Sequence, residues 1–343
     1  MTPALTIGLV YDRFGDRAPP PGAPPDWDAE YEPEATVAAL EAAVRRLGHV
    51  PVRVGNPEAL LARMCAGPLG LDAAVNIAEG YGSRNREAHA PVLLELAGVP
   101  CLGSDALTLS VSLDKHLTKV AARHAGLLTP PWRVVRSPAD VEAGGFPDFP
   151  LFVKPRYEGT AKGLAPSSRC DDAAALRAEV ARQLGLYGQD VLVEAFVEGA
   201  EFTVGVVGHD PPEALPVLQR AVEARTGIGL HALERHEDPA APFDYRAPVP
   251  IEPALEFALQ RAALAAHDAL DCRDFSRSDF RLSPDGRLWF LEVNPLPTFA
   301  PDGTFAILAE LAGQDYDAFL ADVLARGLRR LGLAGGGSRS DGE

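Results

Sequence analysis

The chain has 343 residues, 47% of them hydrophobic and 23% charged, which suits a soluble globular protein too long for one simple core. A formal net charge of −16 excludes a reader of phosphate backbones, which needs a basic face, but not a binder of one small nucleotide. Cys65, Cys101, Cys170 and Cys272 form no CxxC or zinc spacing and fit a reducing cytoplasm, while the apolar runs are too short for a signal peptide or a membrane span.

Residues 6–11 (TIGLVY) read as a buried strand, and the Pro-rich stretch that follows is too rigid and polar for a core. An amphipathic helix at 34–47 opens with Glu34, closes with Arg45 and Arg46, and stops at Gly48. Strand 49–54, helix 57–65, strand 72–77, a helix near 86–97 and a short strand at Cys101 continue the alternation. This predicts an open parallel sheet with its ligand end at 11–16, 76–87 and Gly103. A strand-to-helix cap at 103–105 leads into a helix carrying Lys115 and Lys119.

Strand 132–135, a short helix, strand 150–155, loop 156–164 and helix 172–186 come next. VLVEAFV and EFTVGVVG read as two strands joined by a tight turn at Glu198-Gly199, with a further strand from Ala214. Residues 224–249 have no period and read as a long loop of the kind that often serves as a lid. Helix 252–270, a hairpin at 275–297, and helices near 304–311 and 315–331 complete the ordered chain. The expected units are 1–104, 105–188 and 189–332, with 333–343 a disordered tail that has nothing to bury.

The hairpin is the most informative stretch. A two-residue turn at Asp285-Gly286 sets Asp279 opposite Glu292, Arg277 opposite Asn294 and Arg281 opposite Phe290. Arg277, Asp279, Glu292 and Asn294 then share one face, and Phe280, Leu282, Trp289, Leu291 and Val293 form the core face. Facing carboxylates repel across a ladder, and a Mg²⁺ ion removes the repulsion. On these residues alone two readings stand, a metal site and a solvated charged face. In loop 156–164, Gly159 and Gly163 flank Thr160 and Lys162 just after Lys154, an arrangement that can bring backbone amides to a phosphate or simply turn the chain.

Taken in order, SLDKHLTK, LFVKPRYEGTAKG, VLVEAFVEGAEFTV and SDFRLSPDGRLWFLEVNPLP resemble the ATP-grasp superfamily, specifically the D-alanine–D-alanine ligases and their relatives. The resemblance runs from about residue 5 to 330. It implies an α/β (α+β), three-domain ATP-grasp fold with an N-terminal open parallel, Rossmann-like sheet. It implies ATP as substrate and Mg²⁺ or Mn²⁺ on Asp279, Glu292 and Asn294, with Lys115 and Lys154 on the phosphates. Gly159, Thr160 and Gly163 would belong to the phosphate loop. Glu194, Phe196, Val197 and Glu201 match the adenine and ribose segment, the middle pair through main-chain contacts. Arg277 matches the arginine that steadies the acyl-phosphate, and Glu32 the acid for the first amino acid's ammonium.

Three departures bear on the substrate. The family's His-Gly loop is here NIAEGYGSRNREA, the lid carries Leu233 where its lysine belongs, and the usual Pro-Gly is Pro297-Thr298. The expectation is an ATP-dependent carboxylate–amine ligase joining two amino acids through an acyl-phosphate. The alternatives are a relative making a different dipeptide or amide in specialised metabolism, and a non-catalytic ATP binder. ATP and amino-acid-like molecules are the expected partners, with no nucleic acid or membrane, and relatives are commonly homodimers.

Overall fold

The computed structural model describes residues 3–233, 245–246 and 250–333. Thr6–Tyr11 (β1), Val50–Gly55 (β2), Ala73–Ile77 (β3) and Cys101–Leu102 (β4) form a parallel sheet in the order β2-β1-β3-β4, with Tyr11 opposite Ile77. β1 and β3 are buried almost throughout, and apolar but for Thr6 and Asn76, because helices cover both faces. Ile7, Leu9, Ala73 and Val75 face helices Glu34–Arg46 and Tyr316–Arg330, while Val10 and Ala74 face Pro57–Ala66 and His89–Leu96.

Trp132–Val135 (β5), Leu151–Pro155 (β6), Arg169–Cys170 (β7) and Val191–Ala195 (β8) form an antiparallel sheet in the order β5-β8-β6-β7. Ala200–Val207 (β9) and Glu213–Arg220 (β10) start the next sheet, and Val222–Glu223 (β11) pairs with Tyr245–Arg246 (β12) as a ribbon. Phe275–Leu282 (β13) and Leu288–Asn294 (β14) complete the order β10-β9-β13-β14. Among the described residues no helix is long and apolar enough to cross a membrane.

β8 and β9 are not the hairpin that the sequence suggests. They belong to different sheets, so residues 196–199 carry the chain from one sheet to the other. Gly199 makes the crossing possible: its φ is 129°, and a Cβ there would lie 2.0 Å from the Leu282 carbonyl oxygen. β8 follows residue 188, yet its hydrogen bonds lie within the central sheet.

The apolar cores show which parts move together. Val135, Leu151, Val153, Val191 and Val193 close on Leu176 and Val180 of helix Ala173–Tyr187, a core private to the central sheet. The N-terminal sheet instead shares one core with β9 and β13, through Val207, Phe275, Phe299, Phe305 and Phe319. Each such side chain contributes about 1.5–3 kcal/mol when fully buried. A polar clasp reinforces that union. Asp274 is buried, accepts from the Gly103 amide at 2.8 Å, and pairs with Arg330 at 2.6 Å.

Three further expectations change. The Pro-rich stretch is not all surface: Trp27, Glu30, Tyr31 and Glu32 are buried, because the loop folds back over the sheet's ligand end. The helix bearing Lys115 breaks at Asp114, whose carboxylate caps Lys115–His124 through the amides of His116 and Leu117. The stretch 224–249 is not purely loop, since helix Leu230–Leu233 and β12 lie in it. The Leu233 side chain, residues 234–244 and 247–249, and the tail from 334 lie outside the described residues.

Candidate active site

β13 and β14 pair Arg277 with Asn294 and Asp279 with Glu292, the register expected from the turn, but they reach it by another route. The tip spans three residues, closed by Ser283 N donating to Arg287 O at 3.0 Å, with Gly286 at φ 80°. Arg281 therefore faces Trp289 rather than Phe290, one step out of the predicted pairing. A β-bulge beyond Asp279 takes up the extra residue, Leu291, and restores the register at the acidic pair. Phe290 consequently faces the core against Phe280 (centroids 5.9 Å apart), and Leu291 lines a cleft, reversing the expected assignment of these two. Trp289 is only half-buried.

That cleft, of about 550 Å³, opens between the central and C-terminal sheets and reaches the ligand end of the N-terminal sheet. Glu32, Lys115, Lys154, Gly159, Thr160, Glu194, Phe196, Val197, Glu201, Arg277, Asp279, Glu292 and Asn294 all line it. Gly163 does not. Its amide donates to Asp26, and a Cβ there would lie 2.8 Å from Pro155 and Tyr187, so it turns the loop from behind.

Asp279 accepts a hydrogen bond from Thr203 Oγ1 at 2.6 Å and lies 3.3 Å from Arg277. The nearest cation to Glu292 is Lys115, at 3.7 Å, and the Asn294 side-chain oxygen accepts from the Leu296 amide. Burial alone would raise the Glu292 carboxyl, but Lys115, Lys154 and Arg277 outweigh it and hold it down at about 2. Among the described residues no three His, Cys, Asp or Glu side chains gather into a cage. Two carboxylates and an amide, each with lone pairs to spare, instead fit a hard cation that keeps part of its shell for phosphate oxygens.

The wall formed by β6, β8 and β9 is internally neutralised. Glu194 bridges Lys154 at 2.8 Å and Lys119 at 2.6 Å, and Lys119 is wholly buried, donating also to Thr129. Burial would raise the Glu194 carboxyl, and the two lysines more than offset it. Glu201 takes two bonds from Arg281, at 2.7 and 3.1 Å, and Arg281 also donates to the Val197 carbonyl at 2.8 Å. The guanidinium groups of Arg281 and Arg169 each lie about 5 Å from the Phe196 ring. Phe196 and Phe152, their rings tilted by 43°, form with Leu164 and Ile228 an apolar slot beside them. The Phe196 amide itself donates to Pro150 O.

The opposite wall is acidic. Glu30 accepts from Arg86 at 2.8 Å, Lys162 at 3.1 Å and the Gly159 amide at 2.6 Å, tying the 156–164 loop to the N-terminal unit. Burial raises the Glu30 carboxyl, but Arg86 and Lys162 overcome it and hold it at about 2. Glu32 accepts from Thr36 at 2.7 Å and Thr298 at 2.8 Å. Glu79 and Glu87 are buried carboxylates with no hydrogen bond or ion pair among the described residues. Burial, and then each other's or Glu30's charge, raises both, Glu87 to about 8 despite Arg86.

Sequence reasoning missed Lys119, Arg281, Glu30, Arg86 and Lys162. Arg281 was within reach, since it continues the alternation of Arg277 and Asp279 along one strand face. Glu30 and Arg86 were not, because irregular loops separated by 56 residues bring them together.

Comparison with known proteins accords with this geometry. The family model described as D-ala D-ala ligase C-terminus matches residues 122–325. The D-alanine–D-alanine ligase of Alkalilimnicola ehrlichii is 31% identical over 85% of this chain and 88% of its own. Among solved structures, the D-alanine–D-alanine ligase of Bacillus anthracis complexed with ATP superposes with a TM-score of 0.69 at 19% identity, covering 97% of this chain and 100% of that one. The VanG D-Ala:D-Ser ligase of Enterococcus faecalis gives 0.71 at 17% identity, covering 95% and 100%. The fold is therefore that of the ATP-grasp proteins. The chain belongs to the D-alanine–D-alanine ligase family, and is thereby an ATP-using ligase that forms a peptide-type C–N bond.

Proposed function

We propose that the chain joins two amino acids in an ADP-forming, Mg²⁺- or Mn²⁺-dependent reaction in the cytoplasm, through an acyl-phosphate. The observation that carries this reading is the direct opposition of Asp279 and Glu292, with Asn294 and Arg277 beside them and Lys115 and Lys154 on the same cleft. Asp279, Glu292 and Asn294 would hold the metal, which when bound supplies Lewis-acid neutralisation of phosphate oxygens. Lys154, steadied by Glu194, and Lys115 bind the phosphates, with Gly159 and Thr160 on the loop that Gly163 turns. Phe196 and Val197 frame the base, and Glu201 takes the ribose hydroxyls. Arg277 faces the charge that develops on the substrate carbonyl oxygen as the amine attacks. Glu32 holds the first amino acid's ammonium group.

The N-terminal unit up to residue 104 and the C-terminal unit from β9 onward would pack as one body, against which the central unit, β8 included, closes. Two copies of the chain would form the working assembly. One observation favours a product other than the dipeptide of the named relatives: Glu79 and Thr298 stand on the substrate side, where the family's histidine and glycine are expected. The test is ADP release with Mg²⁺ over a panel of paired D- and L-amino acids. Release with at least one pair is expected. Tight ATP binding with no release from any carboxylate–amine pair would instead support a non-catalytic homologue.

A further inference from the structure

Glu79 stands two residues beyond the end of β3, at the ligand end of the N-terminal sheet. Its loop is firmly held. The Gly80 amide donates to Asp12 at 2.8 Å, and Gly80 has a φ of 65° with the Arg86 carbonyl oxygen 2.6 Å from where a Cβ would sit. The loop thus closes on itself and commits Glu79 to the cleft. Glu79 is 8% exposed, lines the cleft, and also lines a small adjoining pocket of about 30 Å³ with Lys115, Thr160 and Glu292.

The charges around it are mostly of its own sign. Glu87, Glu30 and Glu32 all act against its ionisation, and the counter-charge that favours it, Arg86, is already bonded to Glu30 and to the Tyr157 carbonyl. Glu32 differs: it is satisfied by two threonine hydroxyls. A buried carboxylate in this position needs either a proton or a cation, and it faces the space where a substrate must sit.

We propose that Glu79 is a specificity residue that pairs with a positively charged side-chain amine of the carboxylate-bearing amino acid, making the preferred substrate a diamino acid. This deepens the ligase reading above and rests on it. The pairing supplies the charge that the acidic wall lacks, whereas a substrate with a neutral side chain leaves it uncompensated.

The experiment compares lysine, ornithine and 2,4-diaminobutyrate with alanine and Nε-acetyl-lysine, in both stereochemical forms, in the ADP-release assay. It uses the full-length wild type and E79Q at varied Mg²⁺. The wild type should favour diamino acids over the acetylated form by about tenfold or more in kcat/KM. E79Q should raise KM for diamino acids about tenfold more than KM for alanine, and move kcat less than KM. Equal wild-type rates with lysine and its acetylated form would overturn the proposal without any variant. So would a change in Mg²⁺ dependence in place of amino-acid KM, which would make Glu79 a metal ligand. If no pair releases ADP, the ligase reading fails. Calorimetric binding of ornithine, lost in E79Q, then still supports the charge pairing, and its absence in the wild type overturns it.

Discussion

The two walls of the cleft hold their charges in opposite ways. On the nucleotide side Glu194 has two lysines, Glu201 has a bidentate arginine, and Asp279 has Thr203 and Arg277. On the N-terminal side, Glu30 is fully paired while Glu79 and Glu87 have no partner among the described residues. A wall that is neutral before its ligand arrives is preorganised, since binding need not rearrange it. A wall whose buried carboxyls lack partners must keep a proton or gain a cation. On the function proposed above, the comparison would separate a general nucleotide apparatus from the part that selects the substrate.

Four measurements would break or sharpen that contrast. The largest effect is expected for E292Q, which should lower Mg²⁺-dependent ADP release about a thousandfold while leaving the circular dichroism spectrum unchanged. Near-normal turnover in that variant would remove the acidic pair from the chemistry. K119M comes next. It strips one partner from a buried carboxylate and should cost about 3 kcal/mol in urea unfolding, with a rise in KM for ATP as Lys154 loses its anchor. An unchanged midpoint would mean that the nucleotide wall does not depend on its hidden lysine.

The third concerns pH. The Glu87 carboxyl stands at about 8 in the folded chain against an ordinary 4.5, so the folded state keeps a proton that the unfolded chain releases. Stability from this source is complete below 4.5 and is lost as pH rises through about 8. Glu79, raised as well, acts in the same direction. Ligand-free wild type should therefore melt lower at pH 9 than at pH 6, and E87Q should reduce that fall. An equally steep fall in E87Q would show that the acidic wall is not its source. The opposing carboxylates, Glu30 and Glu292 at about 2, lose their contribution only below 4.5, outside this window. The smallest effect is expected for F196A, which should raise KM for ATP about fivefold by removing one face of the slot.

The placement of the wall bearing Lys154, Asp279 and Glu292 was legible in the sequence because it is built on strands. Alternation places Arg277, Asp279, Glu292 and Asn294 on one face for a two- or four-residue turn, and Lys154 lies on an equally regular strand. The parallel sheet was legible too, from apolar runs separated by a capped amphipathic helix. What escaped was whatever irregular backbone assembles. No periodicity reports that a Pro-rich loop buries Glu30 against Arg86, or that a presumed hairpin at 196–199 passes between sheets. The bulge at Leu291 escaped for a related reason. Two one-residue irregularities cancel, so the right pairing at Asp279 followed from a wrong pairing at Arg281.

That cancellation has a practical meaning. With a bulge midway along the hairpin, and with Asp279 also laced to Thr203 on the neighbouring strand, a change of length at the tip can be taken up before it reaches the acidic pair. Lengthening the connection at 284–286 should redistribute strain between tip and kink without rotating the acidic pair. The outer end of this ribbon is accordingly a tolerant point for attaching a reporter group.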